Sequence, residues 1–231
     1  MIAVFKIQRF DPEKDKEPYF QTFELEAEPE MRILDCLNQI KWTRDGTLAY
    51  RWSCGHGVCG SDAVRINGRC ALACKRLLKH YDTNEFVIEP LPNFPVQKDL
   101  LVDLSKFYEV YHSMRPYLIA GAPPEKERVQ NPEDRKMLDE VIRCILCACC
   151  TAACPVTGEN PDFVGPAAIV RAFRYIFDAR DEDRPARLKA LDRPNGVWAC
   201  VNHFECTRVC PKDIRVTWSI NRIKRELGNH K

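Results

Sequence analysis

The chain opens on alternation. Ile2, Val4 and the Phe5/Ile7 pair lie in a run of apolar and charged residues that reads as a strand. A polar stretch from Asp11 to Pro18 turns it back, and Phe23, Leu25 and Ala27 alternate along the return strand. The period then changes. Ile33, Leu34, Leu37 and Ile40 recur at helical spacing, with Glu28 and Glu30 suited to the positive N-terminal end of a helix and Asp45-Gly46 closing it. Val64 and Ile66 alternate up to Asn67-Gly68, a hairpin turn signal. Phe86, Val87 and Ile88 make one more strand before Pro90 and Pro92.

Past residue 100 the alternation stops and only helical spacings remain. Leu104, Phe107, Tyr108 and Tyr111 mark one helix. The stretch from Gly121 to Pro132 is charged and proline-rich and reads as an extended connection. A helix is expected from Asp134 through Met137, Leu138, Val141 and Ile142. Gly165-Pro166 precedes an amphipathic one carrying Ala167, Ile169, Val170, Phe173, Ile176 and Phe177. Asp178 to Arg187 is highly charged and reads as solvated surface. Ile214, Trp218, Ile220 and Ile223 form a last helix, with Arg222, Lys224, Arg225 and Lys231 as a solvated basic face. The expected class is α+β: a β-grasp, ferredoxin-like domain over residues 1–103, then an all-α, helical-ferredoxin domain over 104–231.

Composition changes this picture at one point. Of the 231 residues, 13 are cysteine, an odd number gathered at short spacings. That does not suit a disulfide framework; in a reducing compartment, clustered thiols point to metal. The N-terminus lacks the apolar core of a signal peptide. A net charge of +2 gives no reason to expect nucleic acid. No apolar run approaches membrane-spanning length, so membrane contact is expected only through a partner.

The cysteines fall into three patterns. Cys54-x4-Cys59-x2-Asp62, followed by Cys74, has the plant-type 2Fe–2S spacing with aspartate in place of the third thiolate. A carboxylate binds iron as a hard anion, so Asp62 is the expected third ligand, with Cys70 the alternative. Gly55, Gly57 and Gly60 suit backbone wrapped closely round a cluster. His56 reads as a solvated loop residue and Cys36, on the apolar helix, as a buried small hydrophobe. The second pattern is Cys144-x2-Cys147-x2-Cys150-x3-Cys154-Pro155, the bacterial ferredoxin run, whose fourth cysteine serves the other cluster. The third repeats it as Cys200-x2-His203-x2-Cys206-x3-Cys210-Pro211. Crossing the fourth ligands gives Cys144, Cys147, Cys150 and Cys210 to a 4Fe–4S cluster. Cys154, Cys200 and Cys206 are left for a second site with three thiolates. Such a site is expected to lack one iron and be 3Fe–4S; the alternative is that His203 supplies a fourth ligand. Cys149, between two ligands, reads as a buried free thiol.

These residues resemble the iron–sulfur subunit of succinate dehydrogenase and fumarate reductase, respiratory complex II. The matches are SCGHGVCGSD with ING, EPLPNFPVQKDLLVD, RPYL, CILCACC with CP, GPAA, DARD and CTRVCPKD, in the family's order over most of the chain. The resemblance implies 2Fe–2S, 4Fe–4S and 3Fe–4S clusters, with Asp62 as a ligand as in some members. It implies a flavoprotein partner whose covalent FAD oxidises succinate, and a membrane anchor, often a cytochrome b with haem b. In bacteria the subunit sits peripherally on the cytoplasmic face of the cell membrane, serves the tricarboxylic acid cycle and aerobic respiration, and passes single electrons to quinone. The resemblance also implies that this chain holds no substrate-oxidising site of its own. Pro155 and His203 are the expected quinone-proximal residues. Two departures stand out: Gly158 and Glu159 replace the tryptophan pair of ubiquinone-reducing members, and Val201 replaces a histidine. Quinol:fumarate reductase is the alternative within the family. A free soluble ferredoxin and a structural zinc protein are the readings outside it. The fused cluster domains weigh against the first, and the tandem Cys-Pro runs with a plant-type loop against the second.

Overall fold

The computed structural model describes residues 1–228. Two units are distinct: Met1–Leu104 with Ile145–Ala153, and Ser105–Cys144 with the chain from Cys154 onward.

In the first unit, β1 (Ile2–Arg9) and β2 (Tyr19–Glu26) pair antiparallel, with Phe5 opposite Phe23. Helix α1 (Ile33–Thr43) follows, then the hairpin of β3 (Ala63–Ile66) and β4 (Arg69–Leu72), then β5 (Glu85–Glu89). The sheet order is β2-β1-β5-β3-β4, and β1 and β5 run parallel. This is the expected β-sheet domain. Two short strands, β6 (Val96–Lys98) and β7 (Leu101–Val102), pair separately. Asn67 and Gly68 both take positive φ, 45° and 80°, which matches the right-handed twist of the hairpin strands.

On β1 the face turned to the core carries Ala3, Phe5 and Ile7, all fully buried, whereas Ile2 is half exposed. Side chains alternate along a strand, so the odd positions carry the buried face and Ile2 lies on the other. Arg9 continues that face and is buried too. Its guanidinium meets Asp99 at 2.9 Å, Asp45 at 2.6 Å and Thr47 at 2.9 Å, and also Gln21, so its charge is buried with partners. Thr47 and Arg9 together hold the Asp45 carboxyl well below its usual range. Phe5 stacks on Phe86 with centroids 5.0 Å apart. At the start of α1, Asp35 accepts from the Arg32 N–H at 3.0 Å. The acidic residue in the first turn is therefore Asp35; Glu28 and Glu30 lie before the helix.

The second unit is helical: α2 (Ser105–Ser113), α3 (Pro132–Leu138), α5 (Pro155–Glu159), α6 (Gly165–Ile176), α7 (Arg184–Leu191), α8 (Glu205–Arg208) and α9 (Val216–Gly228). The short α4 (Cys149–Ala152) belongs to the first unit. Helix α3 starts at Pro132, not Asp134, because Asn131 caps it by accepting from the Asp134 N–H at 2.8 Å. It does not run into the cysteines; a separate 3₁₀ turn carries Val141–Arg143. Among the described residues the second unit contains no strand.

The charged stretch from Asp178 to Arg187 is solvated only in part: Glu182 is exposed, but Asp178 and Arg187 are buried. The Asp181 and Arg187 side chains are at most 1% exposed. Arg187 donates to Asp181 at 2.9 and 3.0 Å, to the carbonyls of Met114, Arg115 and Tyr117 at 3.0, 2.6 and 2.8 Å, and lies over the Tyr175 ring. The guanidinium thus fastens three carbonyls of a turn that no helix or strand would satisfy. Losing either partner of a buried pair of this kind costs about 3–5 kcal/mol. On α9, Arg222 pairs with Glu226 at 2.9 Å and Lys224 donates to the Cys200 carbonyl at 2.6 Å. Of the basic residues expected to be simply solvated, Arg225 is exposed, and Lys231 lies outside the described residues.

Candidate iron–sulfur centres

Between α1 and β3 the chain makes the loop of Cys54, Cys59 and Asp62. Gly55, Gly57 and Gly60 take φ of 65°, 71° and 72°. A Cβ on Gly60 would stand 2.9 Å from the Ile145 carbonyl and 3.0 Å from Cys147 Cβ, so glycine is required there by space as well as by φ. The turns this allows aim the N–H groups of His56, Val58 and Cys59 at Cys54 Sγ, at 3.3, 3.4 and 3.3 Å. Those N–H groups bring the Cys54 thiol down to about 6, stabilising the thiolate that binds metal. Cys59 Sγ lies 3.2 Å from Cys54 Sγ and 3.1 Å from Ser61 Oγ.

Asp62 and Cys74 close the loop from the other side. Both are buried, at 4% and 3% exposure. The Cys74 N–H donates to Asp62 Oδ2 at 2.6 Å, and burial together with the Asp62 carboxylate pushes the Cys74 thiol up to about 12. Asp62 Oδ1 is buried with no hydrogen-bond partner. An orphaned, buried carboxylate oxygen beside thiols is suited to an anionic metal ligand, so the residues present fit a 2Fe–2S group. Cys70 sits elsewhere, buried on β4 opposite Arg65, with burial pushing its thiol up to about 11. Cys36 is fully buried on α1 and is pushed up to about 12. His56 is exposed.

The two cysteine runs share one backbone. Each is entered by a 3₁₀ turn, Val141–Arg143 or Val197–Ala199, ending on Cys144 (φ −61°, ψ 123°) or Cys200 (φ −70°, ψ 119°). Left-handed residues then flank the next ligand position: Leu146 (φ 55°) and Ala148 (φ 64°) about Cys147, Asn202 (φ 63°) and Phe204 (φ 66°) about His203. Each run continues into a four-residue helix, α4 or α8. Ala148 O accepts from Thr151 and Ala152 at 3.0 and 2.9 Å; Phe204 O accepts from Thr207 and Arg208 at 3.0 and 3.1 Å. Cys149, fully buried in α4, has its thiol raised, chiefly by the neighbouring Cys147 sulfur and by burial. Cys147 and Cys150 belong to the first unit, Cys144 and Cys210 to the second. The Ile214 N–H donates to Cys210 Sγ at 3.4 Å.

Within the second unit, Cys154, Cys200 and Cys206 line one pocket, together with Pro155 and His203. Phe163, Pro166 and Ile220 make part of its wall apolar. The three sulfurs are near enough that Cys154 and Cys200 help raise the Cys206 thiol, after burial as the main cause. Thr217, itself buried, places Oγ1 3.4 Å from Cys206 Sγ. Soft donors lining a small, largely apolar pocket suit an iron–sulfur group.

Comparison with known proteins agrees with this geometry. Residues 4–109 match the family of the 2Fe-2S iron-sulfur cluster binding domain, and residues 140–214 that of the 4Fe-4S dicluster domain. The chain is 42% identical over 227 residues to the succinate dehydrogenase iron-sulfur subunit of Coxiella burnetii, with 96% of each chain covered. It belongs to the family of succinate dehydrogenase and fumarate reductase iron–sulfur subunits. The fumarate reductase iron-sulfur subunit of Haemophilus influenzae is 39% identical, with 96% of this chain and 91% of that one covered. A chain of the Mycobacterium smegmatis Sdh1 complex in the apo form superposes with a TM-score of 0.90 at 27% identity, covering 100% of this chain and 97% of that one. Members of this family are subunits of an oxidoreductase complex, and 2Fe–2S and 4Fe–4S domains are both present here. No helix among the described residues is long and apolar enough to cross a membrane. Sequence reasoning did not single out Thr217 and read Lys224 only as part of a basic face; packing of α9 brings Thr217 Oγ1 to Cys206 Sγ and the Lys224 ammonium to the Cys200 carbonyl.

Proposed function

We propose that this chain is the electron-transfer subunit of a succinate:quinone oxidoreductase. It takes electrons from the FAD of a flavoprotein partner that oxidises succinate to fumarate, and delivers them to quinone at a membrane anchor on the cytoplasmic face. Residues 1–103 form the 2Fe–2S domain, with Cys54, Cys59, Asp62 and Cys74 as ligands. Residues 104–231 form the two-cluster domain. There Cys144, Cys147, Cys150 and Cys210 hold 4Fe–4S, and Cys154, Cys200 and Cys206 hold 3Fe–4S. When bound, the three groups supply one-electron steps between a flavin that takes two electrons and a quinone that takes them singly.

The chain's own residues set the order of those steps. Three thiolates place less negative charge on a cluster than four, and the Thr217 hydroxyl stabilises charge on Cys206 Sγ, so the three-thiolate site favours the reduced state and suits the last position before quinone. The N–H groups on Cys54 Sγ and the Asp62 carboxylate act on the 2Fe–2S site in opposite senses, the first offsetting anionic charge and the second adding a hard donor. Relatives named for succinate oxidation and for fumarate reduction match at 42% and 39% identity, which accords with shared wiring whose direction the partners decide.

The observation that carries this reading is the pocket in which Cys154, Cys200 and Cys206 meet with histidine at the fourth position. Electron paramagnetic resonance of the air-oxidised protein tests it. A 3Fe–4S group gives a signal without reductant, whereas oxidised 2Fe–2S and 4Fe–4S groups are silent. A silent spectrum with full iron content would overturn the three-thiolate assignment, and purification without a flavoprotein would overturn the assignment to a succinate-oxidising complex.

A further inference from the structure

Resting on that reading, we propose that His203 is a metal ligand held in reserve: its imidazole binds a fourth divalent metal ion at the open corner of the three-thiolate site. The repeat described above carries the argument. In the first run the backbone presents Cys147 between two left-handed residues, after a 3₁₀ turn and before a four-residue helix. In the second run the same conformation, residue for residue, presents His203: φ of 63° and 66° at Asn202 and Phe204 against 55° and 64° at Leu146 and Ala148. Left-handed backbone at four residues other than glycine is costly and persists only where the surrounding turns impose it. The second run has kept that conformation and put there an imidazole, a good ligand for divalent first-row metals.

The environment agrees. His203 lines the same pocket as Cys154, Cys200 and Cys206. His203 is exposed, so an ion can reach it from solvent without the fold opening. The Lys224 ammonium donating to the Cys200 carbonyl at 2.6 Å fixes the entry to this loop, and the Thr207 hydroxyl accepts from the Thr217 N–H at 3.0 Å at its exit. The loop is therefore braced at both ends while His203 stays open.

The step balances simply. The three-iron core first takes one electron from a one-electron reductant. It then binds Fe²⁺, which exchanges a water for a ring nitrogen of His203; sulfide is neither gained nor lost. Oxidation removes an electron and returns Fe²⁺ to solvent. The site would then report on reducing conditions and iron supply, with the high-potential form present when iron is scarce.

The test uses the full chain with its clusters in place. Air-oxidised protein is reduced with dithionite, exposed to ⁵⁷Fe²⁺ under argon, desalted, and followed by electron paramagnetic resonance and Mössbauer spectroscopy. The wild-type protein is expected to gain one ⁵⁷Fe per chain and lose the integer-spin signal of the reduced three-iron core, with ¹⁴N coupling from the imidazole on further reduction. His203→Ala is expected to keep that integer-spin signal and gain no ⁵⁷Fe at that site, and His203→Cys to restore uptake without the nitrogen coupling. The 2Fe–2S and 4Fe–4S signals of each variant show that it has folded. Equal behaviour of wild type and His203→Ala overturns the proposal and leaves the three-thiolate assignment standing. If the untreated protein has no three-iron signal, the three-thiolate assignment fails instead. Nitrogen coupling in that sample would then uphold His203 as a ligand, and its absence would overturn it.

Discussion

In the loop from Cys54 to Asp62 the positive φ angles all fall on glycine, at Gly55, Gly57 and Gly60. In the runs that begin at Cys144 and Cys200 they fall on Leu146, Ala148, Asn202 and Phe204. Both arrangements turn the chain sharply so that a ligand can face inward, but the energetics differ. A side chain in left-handed backbone costs about 1–2 kcal/mol, while glycine takes it freely and loses more entropy on folding. The loop has no regular structure of its own to impose strain, and its backbone lies close to Cys147 Cβ, so glycine is the workable solution. The runs have a 3₁₀ turn on one side and a helix on the other, whose hydrogen bonds hold the strained residues in place. Strain is tolerated where its neighbours over-determine the backbone, and avoided where they do not.

The largest effect expected from breaking this comparison is at Asp62. Asp62→Ala should abolish the 2Fe–2S signal while leaving the other two, and Asp62→Cys should retain it; reduced spectra of both variants check this. Next is Gly60→Val, which combines unfavourable φ with a contact at 2.9 Å to the Ile145 carbonyl. It should cost about 2–4 kcal/mol, read as a fall in denaturation midpoint, together with the 2Fe–2S absorbance. Thr217→Val removes the hydroxyl 3.4 Å from Cys206 Sγ. It should lower the potential of the three-thiolate site in a redox titration, with a stability change of about 1–2 kcal/mol, and Thr217→Ser should restore the potential. The smallest effect is expected at Ala148→Gly, where relieved strain and added chain entropy nearly cancel. Its midpoint should move by no more than about 1 kcal/mol equivalent, unlike the reverse change at Gly60. A large loss at Ala148→Gly would mean that the left-handed backbone there is not strained.

Much of the cluster chemistry was legible because it is written in short spacings. Cys54 to Asp62 and Cys144 to Cys154 each span only a few residues, so the candidate ligand types stand in local order. The strands and α1 were legible because period two and period 3.6 are local too. The misreading of the stretch from Asp178 to Arg187 has a physical cause. Its charges look solvated until their partners are known, and those are distant: Met114 lies 73 residues from Arg187. Composition cannot tell a paired, buried arginine from a hydrated one.

By itself, the sequence determined the spacing of the candidate metal ligands, the order of a β domain and a helical domain, and the substitution of histidine for cysteine in one of two matched runs. Each of these depends on residues close together in the chain, where covalent geometry limits the outcome. Only the tertiary structure decided that Arg187 is a buried clamp, that Asp62 keeps one carboxylate oxygen free of hydrogen bonds, and that Thr217 reaches Cys206. It also decided that His203 stands on the same backbone as Cys147. Burial, orphaned atoms and left-handed residues arise from groups brought together by packing, and a one-dimensional pattern holds no record of what lies across the core.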